Sequence, residues 1–160
     1  MNRHYTAAEY KELCKKLRRT FKDCSLTTDI MVGFPGESEE DFEQSLNFAK
    51  EIRFEKMHVF PYSIREGTAA AKMKAQLPKK VKSDRAKKMI ALAEKMRSDY
   101  FKEQIGKEYE VLFERKKDNY NLGHTKNYIP VKVKSEENLQ DKIVKVTIIG
   151  SDEEYCEAKM

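Results

Sequence analysis

The hydrophobic period of this chain changes once, at Gly106. Before that point apolar residues recur at helical spacing, interrupted by two short runs rich in β-branched residues. After it, apolar and polar residues alternate, the pattern of strands with one buried face. A chain of 160 residues with one such switch is expected to fold as an α/β part followed by a small all-β part, with the boundary near residue 105.

In the first part, Thr6 and Glu9 read as a capping box for a helix running to about Phe21. Tyr10, Leu13, Leu17 and Phe21 are its expected buried stripe. Leu26 to Phe34 reads as a strand broken by Pro35-Gly36-Glu37, and Ser38 with Asp41 repeats the cap. The second helix turns Phe42, Leu46 and Ala49 inward, and Lys56 to Ser63 is a second strand that Pro61 limits. Two like strands flanking a helix imply a parallel βαβ unit. Two strands are too few for an independent α/β domain, so an open sheet edge is expected.

Residues 64–77 form a polar connector, and Pro78 opens a helix expected to run to about Ile105. Its apolar positions, Val81, Met89, Leu92, Met96 and Tyr100, are interleaved with Lys79, Lys80, Lys82, Arg85, Lys87, Lys88, Lys95 and Arg97. Gly106 suits a helix stop. Beyond it YEVLFER, NLGHTKNYIPVKVK and KIVKVTIIG read as strands separated by turns at Asp118-Asn119 and Glu137-Asn138, a small antiparallel barrel.

The net charge of +5 is unevenly placed. Residues 70–100 hold ten Lys or Arg against three Asp or Glu, a net +7, while the flanks carry −1 each. Such a block either attracts a polyanion or is a solvated helix face. No apolar run approaches membrane length, and no secretory leader follows Met1. Cys14, Cys24 and Cys156 are odd in number and widely spaced, so they offer no zinc or iron–sulfur pattern; a reducing, cytoplasmic setting is expected.

Gly33-Phe34-Pro35-Gly36-Glu37 lies where a strand hands over to a helix, the usual ligand end of α/β folds, and is also an ordinary tight turn. Arg65-Glu66-Gly67-Thr68 follows the second strand, where Arg and Thr suit an anion or simply close a loop. His58 reads as a packed histidine. In the strand-rich part Phe113 is expected in the core, with Tyr120, His124 and Tyr128 nearer the surface beside Lys126. Aromatics interleaved with bases suit nucleotide stacking, and Gly123 suits a bend or the close approach of RNA. No residue is singled out as catalytic or as a metal ligand.

Taken together, MNRHYTAAEY, TTDIMVGFPGESEEDF and HVFPYSIREGTAAAKM resemble the later part of the radical S-adenosylmethionine barrel of the methylthiotransferase family. GKEYEVLFE, GHTKNYIPVKV and IVKVTI resemble its terminal TRAM domain, a small RNA-binding β-barrel. The resemblance implies three parts: the end of a radical SAM (β/α) partial barrel over 1–77, a basic linking helix over 78–105, and a TRAM-like barrel over 106–160. Within the family, Arg65 speaks against the branch acting on a ribosomal protein. HVFPYS and GHTKNYIPV look most like the branch acting on N6-threonylcarbamoyladenosine at position 37 of tRNA, with the isopentenyladenosine branch as the near competitor.

What the resemblance implies for chemistry is a parent enzyme that uses S-adenosylmethionine and [4Fe-4S] clusters to add a methylthio group to C2 of the modified adenine. Asp29, Gly33, Pro35, Gly36 and Glu37 are implied beside the S-adenosylmethionine pocket; Phe60, Tyr62 and Ser63 on the last barrel strand; Arg65 and Thr68 in a nearby loop. RNA contact is expected, from charge and chemistry, of Lys79, Lys80, Arg85, Lys88, Lys107, His124, Lys126, Asn127 and Tyr128. The expected partners are a tRNA anticodon stem-loop and the amino-terminal part of the enzyme, which carries the cluster-binding cysteines absent here. This polypeptide alone is therefore expected neither to bind a cluster nor to cleave S-adenosylmethionine. The alternatives are a standalone RNA-binding module and a piece that completes a barrel supplied by another chain.

Overall fold

The computed structural model describes residues 4–160, which divide into two compact units: one of residues 4–22 and 26–96, the other of 23–25 and 97–160. In the first, α1 (Ala7–Thr20) begins at the Thr6–Glu9 capping box and α2 (Glu39–Ile52) at the Ser38–Asp41 box. In both boxes the acidic side chain also accepts from the cap residue's backbone N–H, and these bonds hold Glu9 and Asp41 below the usual carboxylate range. β1 (Thr27–Val32) and β2 (Lys56–Pro61) pair in parallel and form a sheet of only two strands. Neither outer edge has a strand partner among the described residues, in line with the expected open edge.

Phe42, Leu46, Ala49 and Ile52 of α2 are buried, the expected stripe extended by one turn. The stripe expected on α1 is displaced. Its buried residue is Cys14, while Leu13 and Phe21 are more than half exposed. Arg18 sets that rotation: its guanidinium donates to the carbonyls of Ile52 and Arg53 and to Glu55. Arg53 ends α2 in the left-handed region, φ 57°, so the Arg18 bonds satisfy carbonyls that the helix end leaves open. His58 lies exposed on β2, not packed as expected, because inward positions on that strand fall to Met57.

A short 3-10 turn at Ala70–Lys72 precedes α3 (Lys79–Lys102). The first turns of α3 bury Arg85, Ala86 and Met89 in the first unit, and Phe101 near its end is buried in the second. Gly106, at φ 86°, follows the helix and donates to the Ile148 carbonyl at 2.9 Å, which turns the chain into the first barrel strand.

The second unit is a closed barrel of β3 (Glu108–Lys117), β4 (Tyr120–Thr125), β5 (Pro130–Lys134), β6 (Ile143–Ser151) and β7 (Cys156–Lys159), ordered β3-β4-β5-β7-β6. All pairings are antiparallel except β5 with β7, which is parallel. That parallel closure departs from the all-antiparallel barrel expected. The four-residue β7 is too short to show a period, yet it is the strand that leaves no edge open. Val111, Phe113, Ile129, Val131, Val133, Val146, Ile148, Cys156 and Ala158 fill the interior, joined by Phe101 and Leu139.

Two polar details hold this core. Asn121 is fully buried; its amide donates to the Glu137 carbonyl at 3.0 Å and its Oδ1 accepts from the Leu139 N–H at 2.9 Å. That pins the β5–β6 connection over the barrel end, with Leu139 as its plug. Gly123 serves a neighbouring strand: a Cβ there would lie 2.1 Å from the Leu112 carbonyl oxygen and 2.7 Å from the Phe113 Cα. The glycine therefore permits close approach of β3, at the irregularity between Phe113 and Arg115, and not the bend or approach of RNA expected for it. Gly123→Ala is expected to destabilise the chain by about 1–3 kcal/mol through overpacking against backbone. Gly150→Ala, whose added methyl meets only Glu157 side-chain atoms at 3.6 Å and beyond, is expected to stay within about 0.5 kcal/mol. Urea unfolding of the two variants checks both.

Candidate functional site

In the first unit the candidate site is the turn after β1. Gly33 takes φ 73° and Gly36 φ 84°, conformations that favour glycine, so the chain reverses within a few residues of Val32. Glu37 reaches back over the turn and accepts from the Gly33 N–H with both carboxylate oxygens at 3.0 Å. The Gly36 N–H donates to the Ala75 carbonyl at 2.8 Å. Tyr62 is buried, its N–H bonds the Val32 carbonyl at 2.8 Å, and its ring meets Phe34 edge-on at 5.4 Å.

Helix α3 locks the turn. Arg85 Nη1 donates to the Glu37 carbonyl at 2.9 Å and to Glu37 Oε1 at 2.6 Å, and Nη2 to Glu39 Oε2 at 3.0 Å. Its hydrogen bond holds the Glu39 carboxyl below the usual range. The guanidinium also lies 5.3 Å from the centre of the Phe42 ring. Lys82 stretches across the Gly33 Cα, where a Cβ would come within 2.5 Å of its Cγ, and its ammonium lies 5.5 Å from the centre of the Tyr62 ring.

This corrects one expectation. Arg85 is 6% exposed and spent on Glu37 and Glu39, so it is a buried structural cation and not a free contact for RNA. Lys88 is exposed but lies 3.6 Å from Glu39 and 5.8 Å from the centre of the Phe42 ring. Lys79 and Lys80, with Lys87, are exposed and have no ion-pair partner among the described residues.

The residues implied beside the S-adenosylmethionine pocket gather only in part. Gly33, Pro35, Gly36, Glu37 and Tyr62 belong to this knot. Pro35 is buried, Gly36 is exposed, and the Tyr62 hydroxyl is buried with no hydrogen-bond partner. Asp29, Phe60 and Ser63 are exposed along β1 and the end of β2. Arg65 is exposed, and Thr68 is turned inward to its own loop, accepting from the Ala71 N–H and donating to the Arg65 carbonyl at 2.8 Å. Thr68 thus caps the 3-10 turn.

The residues present do not fit an iron–sulfur cluster. Among the described residues no three His, Cys, Asp or Glu side chains gather as metal ligands. Cys14 and Cys156 are buried, and burial pushes the Cys156 thiol up to about 12, away from the thiolate a metal needs. Among the described residues no helix is long and apolar enough to cross a membrane.

In the second unit the candidate interface is the tip of the β4–β5 hairpin. Thr125 donates its N–H to the Ile129 carbonyl at 3.0 Å, and its hydroxyl oxygen accepts from the Ile129 N–H at 2.9 Å. Asn127 is anchored inward: its amide donates to the Asp23 carbonyl at 2.8 Å, and its carbonyl accepts from the Ser25 hydroxyl at 2.7 Å. Tyr128 sits at φ 61° and is 84% exposed. His124 Nδ1 lies 2.8 Å from Glu114 Oε2, and Lys126 bonds Glu110, whose carboxyl that bond holds below the usual range. Lys107 donates to Gln104 at 3.1 Å, the same oxygen that accepts from the Tyr109 hydroxyl at 2.7 Å; burial pushes Tyr109 up to about 12. Of the expected set in this unit Lys107, Lys126 and Tyr128 are exposed, but Lys107 and Lys126 are bonded to Gln104 and Glu110, and Asn127 is anchored inward.

The first unit is thus a parallel two-stranded βαβ segment locked by a helix, and the second a small closed, TRAM-like barrel. Comparison with known proteins adds relatives. Residues 1–49 match the Radical SAM superfamily. The threonylcarbamoyladenosine tRNA methylthiotransferase MtaB of Bacillus subtilis (strain 168) is 37% identical over 99% of this chain and 36% of that protein. The tRNA-2-methylthio-N(6)-dimethylallyladenosine synthase of Aquifex aeolicus (strain VF5) is 40% identical over 94% of this chain and 34% of that protein. The synthase of the same name from Clostridium beijerinckii (strain ATCC 51743 / NCIMB 8052) is 42% identical over 95% of this chain and 34% of that protein. Over nearly its whole length the chain is thus similar to tRNA-methylthiolating enzymes, and it spans about a third of the length of the curated relatives it matches.

The two kinds of cation on α3 separate in a stability measurement. Arg85→Met leaves the Glu37 carboxylate, 14% exposed, without its partner and is expected to cost about 3 kcal/mol. Lys79→Gln is expected to change stability by no more than about 0.5 kcal/mol. Urea midpoints of the two variants check this.

Proposed function

We propose that this chain serves as the barrel-end and tRNA-docking segment of a tRNA methylthiotransferase, which places a methylthio group on C2 of an N6-substituted adenosine. The observation that carries the reading is the alignment of nearly the whole chain, in order, with relatives named for that activity. The proposed division is a radical SAM barrel segment over 1–77, a basic linking helix over 78–105 and an RNA-binding barrel over 106–160. The cluster and S-adenosylmethionine supply radical and sulfur chemistry in such an enzyme. On this reading their ligands come from sequence outside this chain, on the same polypeptide or a partner.

The role left to these residues is positional. The Arg85–Glu37 lock fixes the turn at the carboxyl end of β1 and so fixes where Phe60 and Ser63, at the end of β2, present themselves to a neighbouring cofactor. Lys79, Lys80 and Lys87 offer unpaired charge for phosphates, and the hairpin tip offers the exposed Tyr128.

The substrate reading moves from the threonylcarbamoyl branch toward the dimethylallyl, or isopentenyl, branch. Relatives named for dimethylallyladenosine, from Aquifex, Caldicellulosiruptor, Clostridium, Pelotomaculum and Alkaliphilus, are 38–42% identical over 93–97% of the chain. The threonylcarbamoyl reading keeps one observation in its favour, the coverage of 99% by the Bacillus subtilis relative.

Nucleoside mass spectrometry of tRNA from cells lacking the gene that encodes this chain tests the proposal. The expected outcome is loss of 2-methylthio-N6-isopentenyladenosine with accumulation of the form lacking the methylthio group. Loss of 2-methylthio-N6-threonylcarbamoyladenosine instead assigns the other branch, and an unchanged methylthio content overturns the function.

A further inference from the structure

The turn after β1 holds more hydrogen-bond donors than acceptors. Its carboxylate, Glu37, is spent on the Gly33 N–H and on Arg85. The Tyr62 hydroxyl is buried with no partner among the described residues, and so is the Arg85 Nε–H. Lys82 has no ion-pair partner among them either, and its ammonium lies over the Tyr62 ring, 5.5 Å from the centre. Lys82 and Arg85 are three residues apart on α3 and so lie on one side of that helix.

A buried hydroxyl without a partner has given up water and gained no bond in return. The packing does not need it. The Tyr62 ring meets Phe34 edge-on at 5.4 Å and lies under the Lys82 ammonium, and a phenylalanine ring makes both contacts as well. A polar group that the fold keeps at a cost and leaves unused has its use in a bound state.

The position and the chemistry define what is bound. Gly33 and Tyr62 directly follow the parallel strands β1 and β2 at their carboxyl ends, where α/β folds take ligands. A hydroxyl, a guanidinium N–H and an ammonium all donate, so the matching group is an oxyanion. Tyr62 is only 7% exposed, so a slim terminal group reaches its hydroxyl and a phosphodiester flanked by nucleosides does not. The Lys82 ammonium, resting on a ring and not on an acid, is free to turn to the same oxyanion.

We propose that Tyr62 and Lys82 form a binding site for the terminal carboxylate or phosphate of a small ligand, with the Tyr62 hydroxyl and the Lys82 ammonium as its donors. The site goes beyond the tRNA reading and does not need it, because it follows from the donors at this turn alone. The test is a 1H–15N NMR titration of the whole chain with acetate, with inorganic phosphate and with dimethyl phosphate, at an ionic strength held constant with chloride. Acetate or phosphate is expected to give saturable shifts at the Gly33, Phe34 and Tyr62 amides, and the tighter of the two identifies the oxyanion. Dimethyl phosphate is expected to bind more weakly than either. Tyr62→Phe is expected to weaken binding roughly ten- to hundred-fold, as is Lys82→Met, which keeps the stem over Gly33. In urea, Tyr62→Phe is expected to unfold at the same or a higher midpoint than the parent chain, since no bond is lost. A lower midpoint shows that the hydroxyl is bonded within the fold and overturns the site. Absence of saturable shifts with both acetate and phosphate overturns it, as does equal binding by folded Tyr62→Phe. Equal or tighter binding of dimethyl phosphate also overturns it and assigns Lys82 to a nucleic-acid backbone. The methylthio content of cellular tRNA is measured separately, so failure of that reading and failure of this one are distinguishable.

Discussion

The first unit depends on one guanidinium. Arg85 joins α3 to both the backbone and the carboxylate of Glu37, and Glu37 in turn holds the Gly33 N–H. A helix with few wholly buried apolar side chains, Ala86 and Met89 in its first turns, is docked by charge as well as by packing. Because Glu37 is anchored from both sides, the turn at the end of β1 has a single geometry, and the end of β2 is placed with it. Removing either partner leaves a charge buried without compensation, so the knot acts more as a determinant of position than as a large net source of stability.

The second unit solves a different problem, the closure of a short-stranded sheet. Gly123 lets β3 and β4 approach, Asn121 ties down the connection that carries Leu139, and β7 joins β5 to β6. With the edges gone, the barrel presents its outer face and its hairpin tips to solvent. The Thr125–Ile129 tip holds the Tyr128 ring outward.

Much of this was legible in the sequence where the signal is local. Both capping boxes, the α2 stripe and the burial of Phe113 follow from spacing within a few residues, whereas α3, expected to reach about Ile105, ends at Lys102. The rest depends on distant partners. Leu13 and Cys14 are equally good inward candidates until Arg18 finds the end of α2. Arg85 reads like every other base on α3 until Glu37 and Glu39 are brought beside it, and Lys88 is half claimed by the same acid. The purpose of Gly123 is visible only once β3 lies against it. The aromatic and basic residues of GHTKNYIPV were readable as a surface, but their ion pairs, Lys126 with Glu110 and His124 with Glu114, depend on β3.

The unit containing most of α3 carries 20 Lys or Arg against 13 Asp or Glu, and it is there that we propose phosphate contact. The most direct measurement is the salt dependence of binding between the whole chain and a tRNA anticodon stem-loop. Affinity is expected to fall linearly on logarithmic axes, with a slope smaller by about 2 when Lys79 and Lys80 are replaced by Gln. No binding, or a slope that the two replacements leave unchanged, would contradict it.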